Sequence, residues 1–306
     1  MKILNLIKSI TESHYLVIGL AFFVGTFYSQ NILWASSYTT LILAIIFFLS
    51  ALKIDLKKVL RQLEDKTALF IITFFILLVL PIVVYYIANL FFPSFAIAFL
   101  LLSAMPAGMV TPLLTEISGG RQSLALVLAV ITSLLAPITV PFIVEFLVGT
   151  SVEVDVFGMF KLLAIVIYIP FFLAQFFKKF WQKTIDKISP IFKSVSTILL
   201  GILIMIIVAK QSNILIENFN LFVVGVLFLF FFSLHIIGYF LTPWRDKRDR
   251  ITISVCVTYM NFTLAIELAN KFFSDPNIIL PIVLSIIPWS FIFIPFKTFV
   301  KKQNLG

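Results

Sequence analysis

The residues of this chain that could do chemistry stand inside long apolar runs. The first such stretch reads Leu102-Ser103-Ala104-Met105-Pro106-Ala107-Gly108-Met109-Val110-Thr111-Pro112-Leu113-Leu114-Thr115-Glu116. Pro lacks an amide donor and crowds the turn before it, and Gly relaxes the backbone, so continuous helix is disfavoured between Pro106 and Pro112. Backbone groups freed in an apolar solvent persist only where protein buries them or a polar cavity meets them. Two outcomes stay open: a simple proline kink, or a broken segment in which Ala107, Gly108, Met109 and Thr111 line a binding site. The second stretch, Ser254-Val255-Cys256-Val257-Thr258-Tyr259-Met260-Asn261-Phe262-Thr263-Leu264-Ala265, holds no Pro or Gly. Its marks are Thr258, Asn261 and Thr263, polar groups that either bond a neighbouring helix or line the same site. A third stretch, Thr132-Ser133-Leu134-Leu135-Ala136-Pro137 followed by Pro141, offers two hydroxyls. These either bond carbonyls of their own helix or reach a ligand.

Two acids flank these stretches, Glu116 beyond the first and Glu267 about two turns beyond Asn261. An acid inside a membrane span is costly, which makes both candidate proton carriers. The plainer reading puts Glu116 at the cytoplasmic interface and Glu267 at the outer one. His14 and His235 are isolated, with a packing hydrogen bond the default for His235 and a proton relay its alternative. No His-rich or paired-Asp cluster suggests a metal, and no cofactor is expected. The single cysteine, Cys256, excludes an internal disulfide and a cysteine-based metal site.

The elements that position these residues follow from composition. Of 306 residues, 61% are hydrophobic and 12% charged, where soluble domains carry about 25% charged residues. Apolar runs fall at 15–31, 36–52, 67–91, 94–117, 123–148, 157–177, 192–212, 217–241, 251–272 and 277–297. Runs of roughly twenty residues match a hydrocarbon core of about 30 Å and exceed the strands of a membrane barrel. The expected fold is all-α, a polytopic membrane protein of ten transmembrane helices. The net charge of +9 comes from short basic clusters between runs, so nucleic acid is not the expected partner and membrane lipid is.

One set of segments carries Lys2, Lys8, Lys53, Lys57, Lys58, Arg61, Lys66, Arg121, Lys178, Lys179, Lys183, Lys187, Lys193, Arg245, Lys247, Arg248, Arg250, Lys297, Lys301 and Lys302. The opposite set carries Lys210, Lys271 and Lys161 with acidic Glu153 and Asp155. This asymmetry puts both termini in the cytoplasm and requires an even number of helices. Polar residues after Lys8, with no small-residue cleavage site, favour a retained first helix over a removed signal. A loop carrying Lys178 to Lys187 divides the chain into two five-helix halves, about 1–150 and 151–306. An odd number per half makes the second enter the membrane inverted, the geometry of inverted repeats. The whole reads as a single transporter domain, 1–306. Low Gly with high Phe, Ile and Lys hints at a bacterial inner membrane.

These residues together resemble the bile acid:sodium symporter family. From about Ala107 to Pro141, "PAGMVTPLLTEISGGRQSLALVLAVITSLLAPITVP" follows the family pattern of Pro-Gly-Gly, a Ser-Asn pair, a Gly-polar turn, Ser-Thr-Leu and two prolines. Further likeness lies in "LKIDLKKVLRQ", "LHIIGYFLT" and "RITISVCVTYMNFTLAIELA". The resemblance implies interleaved panel and core subdomains, broken helices 4 and 9 crossing near the membrane centre, and organic anions carried with sodium. It also shows where this chain departs. The family's sodium positions fall at Thr111, Pro112, Ala125, Ala129, Cys256 and Met260, while Asn261 and Gly120 remain. Sodium needs several hard oxygen ligands, which Ala, Met and Pro side chains lack.

The expected function is secondary active transport of a small organic anion by alternating access, coupled to protons or uncoupled. Alternatives are a sodium-coupled symporter, a carrier of the related auxin-carrier type and, from another class, a membrane-embedded enzyme or a channel. The half-helix starts after Ala107–Val110 and after Thr258–Met260 would turn positive dipole ends toward a carboxylate. Thr111, Thr258, Asn261 and Thr263 would add directional hydrogen bonds.

Overall fold

The computed structural model describes residues 14–54, 66–149 and 153–303. Lys2, Lys8, Lys57, Lys58 and Arg61, which help orient the sequence, lie outside the described residues. In chain order the α-helices are α1 (His14–Phe27), α2 (Thr39–Ala51), α3 (Lys66–Phe91), α4 (Ala96–Ala104), α5 (Thr111–Ile117), α6 (Gln122–Val148) and α7 (Val156–Lys210). They continue with α8 (Ser212–Asn218), α9 (Leu221–Phe240), α10 (Lys247–Thr258), α11 (Phe262–Phe272), α12 (Pro276–Leu284), α13 (Ile286–Phe291) and α14 (Phe293–Gln303). Among the described residues the only β-type pairing is one isolated bridge.

Six helical stretches are long and apolar enough to cross a membrane: Leu33–Ala51, Lys66–Phe91, Gln122–Val148, Val156–Phe192, Leu221–Phe240 and Pro276–Lys301. Their outward residues include the well-exposed Phe70, Phe142, Phe146 and Phe222. Such a surface suits hydrocarbon, not water. The protein is a polytopic, all-helical membrane protein.

Contacts divide the chain into two compact units, Met1–Ile54 with Leu162–Phe219 and Asp55–Lys161 with Asn220–Gly306. In the first, α1 approaches the later part of α7 closely. A Cβ on Gly25 would lie 2.6 Å from the Met205 carbonyl oxygen, and one on Gly201 would lie 2.5 Å from Val17 Cγ1. Small residues permit this approach where no hydrophobic force distinguishes helix from lipid. The end of α2 is closed by side chains of α7: Gln175 Nε2 donates to Ala51 O at 3.1 Å, and Lys178 Nζ to Ile54 O at 2.7 Å. A cation suits the negative end of a helix.

The 55 residues of α7 would extend about 80 Å if straight. Non-helical backbone at Trp181 (φ −126, ψ 30) divides it into two legs. The loop expected from Lys178 to Lys187 is therefore helical on both sides of Trp181. Charged side chains marked it as a loop, yet Lys and Gln extend a helix readily once it leaves the hydrocarbon.

The second unit runs through one order of elements twice. A long apolar helix (α3, then α9), a shorter one (α4, then α10), a break, another short helix (α5, then α11) and a long proline-bearing stretch (α6, then α12 to α14) follow in turn. Leu100, Ile143, Leu147 and Val148 form a core where α4 meets α6, with Leu78, Ile82 and Tyr85 of α3 against it. Within α3, a π-helical turn at Phe75–Val79 precedes Pro81, whose missing amide interrupts the α-helical ladder. His235 of α9 packs as the default reading expected. Ser254 Oγ donates to the His235 carbonyl at 2.8 Å and lies 3.0 Å from Nδ1, while the ring stacks on Phe296 at 4.0 Å.

Candidate functional site: two breaks that pair

The first break arises as the sequence dictates. Pro106 pushes Met105 into extended backbone (φ −70, ψ 147), which ends α4 at Ala104. The chain re-enters helix at Thr111, with Pro112 in the first turn where its missing amide goes unmissed. The second break occurs without Pro or Gly. Helix α10 ends at Thr258, Tyr259 turns away (φ −92, ψ 60), and α11 starts at Phe262. Asn261 is its N-cap, with Oδ1 accepting from Leu264 N at 3.3 Å and from Thr263 Oγ1 at 2.7 Å.

The breaks complete each other. Ala107 and Met260 form an antiparallel bridge. The Gly108 amide donates to Tyr259 O, and the Asn261 amide to Pro106 O, each at 2.8 Å. Backbone groups that would otherwise be orphaned far from water thus satisfy one another. A Cβ on Gly108 would lie 2.8 Å from Tyr259 O, so the crossing needs glycine here for closeness of approach. The Ala107 amide donates at 3.1 Å to Thr132 Oγ1, which donates at 2.7 Å to Leu128 O. Thr132 thus bonds its own helix and also fixes the break. Its place in this arrangement was missed from sequence, because its partner stands 25 residues away on another element.

Sequence-derived site residues converge on the crossing with unequal access. Ala107, Gly108, Thr111, Thr258, Asn261 and Thr263 are buried, and Met109, Val110 and Pro112 are partly exposed. Thr111 Oγ1 donates to Gly108 O at 2.8 Å and lies in hydrogen-bonding contact with the Cys256 thiol. Thr111 and Thr263 thus spend their hydroxyls holding the break. Ala125, Ala129, Cys256 and Met260 are all buried, and none brings a side-chain oxygen. Of the two acids, Glu116 is exposed at the end of α5 and accepts from Gln122 Nε2 at 2.9 Å. Glu267, within α11, is 0% exposed.

A charged cluster missed from sequence joins the two halves of this unit. Helix α5 ends in a Schellman turn: Gly120 N donates to Thr115 O at 2.8 Å and Gly119 N to Glu116 O at 3.0 Å. Gly119 there adopts φ +78, which favours glycine. The turn delivers Arg121 to the start of α10. Its amide donates to Thr252 Oγ1 at 2.7 Å, and its guanidinium reaches Asp246 at 2.7 Å and Asp249 at 3.1 Å. Arg245 holds Asp249 from the other side at 2.6 Å, and the Asp249 side chain is only 2% exposed. Asp246 also caps α10, accepting from Asp249 N at 2.8 Å. That cap signal was present in the sequence as an Asp ahead of a helical run, but the basic residues beside it drew the reading toward topology.

Known proteins place this architecture. The chain is 24% identical over 238 residues to a protein of Oryza sativa subsp. japonica named "Probable sodium/metabolite cotransporter BASS1, chloroplastic", an alignment covering 76% of this chain and 57% of the relative. The chain thus spans little more than half the length of the relative it matches. This relative bears out the resemblance to bile acid:sodium symporters. The profile of the SBF-like CPA transporter family matches residues 13–292, nearly the whole chain. The chain belongs to the SBF-like CPA transporter family.

Proposed function

We propose that this protein carries a small organic anion by alternating access, with the paired breaks as its binding centre and without sodium as the coupling ion. The observation that carries this reading is the crossing itself, the mutual bonds of Pro106 with Asn261 and of Gly108 with Tyr259. Irregular backbone inside apolar helices is costly, and it persists where protein or a polar cavity meets it. The positive end of the α11 dipole starts at the crossing, and the Asn261 amide nitrogen takes no part in the cap, so both suit a carboxylate. Met109, Val110 and Pro112 supply an apolar, partly open margin. Ten spans in two inverted repeats with both termini cytoplasmic, in an inner membrane, accord with the repeated element order and the charge asymmetry.

Coupling follows from the donor set. The positions that the resemblance assigns to sodium hold one hydroxyl, Thr111, already bonded to Gly108 O and Cys256. Ala125, Ala129, Met260 and Pro112 add no side-chain oxygen, so the residues do not fit the ion. Sodium coupling is favoured instead by the name of the rice relative. Glu267 is the better candidate for a coupling group. It is fully buried within α11, the helix that starts at the crossing. An ionisable residue inside a membrane span marks a candidate functional site.

The test is uptake into proteoliposomes driven by an imposed proton gradient, with a panel of small carboxylates. Glu267→Gln is expected to abolish gradient-driven uptake while leaving ligand-induced thermal stabilisation within about twofold. Glu116→Gln, at the exposed end of α5, is expected to leave both unchanged. Gradient-driven uptake that survives Glu267→Gln would remove this residue from the mechanism.

A further inference from the structure

We infer that the turn between the two legs of α7 is a binding site for anionic phospholipid headgroups. The first leg, 156–180, is long enough to span hydrocarbon, and Gln182, Lys183, Asp186 and Lys187 directly after it carry the turn at Trp181 out of it. The exposed residues around that turn are of two kinds. Phe176, Phe180 and Trp181 are 55%, 58% and 51% exposed, and they pack on one another. Phe176 and Phe180 are 4.9 Å apart, and Phe180 and Trp181 are 5.9 Å apart. Beside them stand Lys179, Lys183 and Lys187, all exposed, with Asp186 the only acid from Lys178 to Lys187. Lys179 Nζ lies 5.7 Å from the Phe180 ring centre.

The fourth lysine shows the contrast. Lys178 is spent on the end of α2 through its bond to Ile54 O. The other three have neither an ion pair nor a side-chain hydrogen bond among the described residues. Over Gln182–Phe192 only Ile185 and Phe192 are buried, so the segment is held by one apolar edge and leaves its basic side uncovered. Aromatic rings of this size sit well at the headgroup level, where ring and polar edge are both accommodated. Lysines on long stems beside them reach phosphate oxygens while their stems stay on apolar surface. The charge surplus selects a headgroup with net negative charge over a zwitterionic one. The occupant is therefore an anionic glycerophospholipid of the surrounding leaflet, held by Lys179, Lys183 and Lys187 and bordered by Trp181. This inference does not depend on the transported substrate or the coupling ion.

Native mass spectrometry of the full chain in detergent, titrated with phosphatidylglycerol or phosphatidylcholine, tests it. The wild type is expected to retain phosphatidylglycerol in preference to phosphatidylcholine. The triple variant Lys179→Gln, Lys183→Gln, Lys187→Gln is expected to lose roughly fivefold in that affinity for each lysine neutralised. Its thermal stability in phosphatidylcholine should match the wild type, and the corresponding triple Arg variant should retain the lipid. Equal retention of the two lipids by the wild type, or undiminished phosphatidylglycerol binding by the triple Gln variant, overturns the inference. Displacement of the lipid by inorganic phosphate would overturn it too, since the site would then serve a soluble anion.

Discussion

Gly108→Ala is expected to abolish transport and to lower the stability of the purified protein by about 2–3 kcal/mol. The added methyl would meet the Tyr259 carbonyl oxygen at 2.8 Å, with Met260 O at 3.4 Å behind it. Both obstacles are backbone, which cannot swing aside as a side chain can. Relief requires the two breaks to separate, and separation costs the Gly108–Tyr259 hydrogen bond in a place that water does not reach. Gly225 is the matching control. It lies in α9 with nothing within 4 Å of an added Cβ. Gly225→Ala should be neutral or stabilise by up to about 1 kcal/mol, because Ala favours helix over Gly. Thermal unfolding in detergent and uptake into proteoliposomes read both variants. Wild-type stability and uptake in Gly108→Ala would mean that the close approach of the breaks does not matter.

The second large effect is expected at Asp249. Its carboxylate is 2% exposed and held between Arg121 and Arg245. Asp249→Ala removes the carboxylate that both guanidinium groups share. Loss of one partner from a buried pair costs about 3–5 kcal/mol. Arg121 remains 40% exposed and Arg245 19%, so water offsets part of this and about 3 kcal/mol is expected. Asp246 binds the same Arg121 but is 53% exposed. Its ion pair is screened, and Asp246→Asn, which keeps the capping oxygen, should cost under about 1 kcal/mol. Denaturation midpoints of the two variants compare them directly. Equal losses would show that burial does not govern this cluster.

The contrast between these sites explains what the sequence could reveal. The run read at 67–91 became Lys66–Phe91, and that at 123–148 became Gln122–Val148. Hydrocarbon imposes such lengths, so apolar extent alone locates them. The first break was legible because Pro106 and Gly108 act locally. The second was given by the resemblance and not by Pro or Gly, since its support comes from Pro106 and Gly108, remote in the chain, and from the Asn261 cap. Polar Thr258, Asn261 and Thr263 marked the place but not the backbone event. Helix α10 also begins at Lys247, well before the apolar run at 251, because Asp246 caps a charged turn outside hydrocarbon. The burial of Glu267 and of Asp249 depends on which helices pack against them, and no local pattern carries that information.

The most direct test of the proposed function is ligand-induced thermal stabilisation of the purified protein, screened over small organic anions with sodium present or replaced by choline. A ligand that binds only the folded protein raises its stability by mass action, so the shift reports occupancy. Expected is a stabilising carboxylate whose shift is the same in sodium and in choline and changes with pH. A shift that requires sodium would contradict the reading of Thr111, Ala125, Ala129, Cys256 and Met260 as a set that cannot hold the ion.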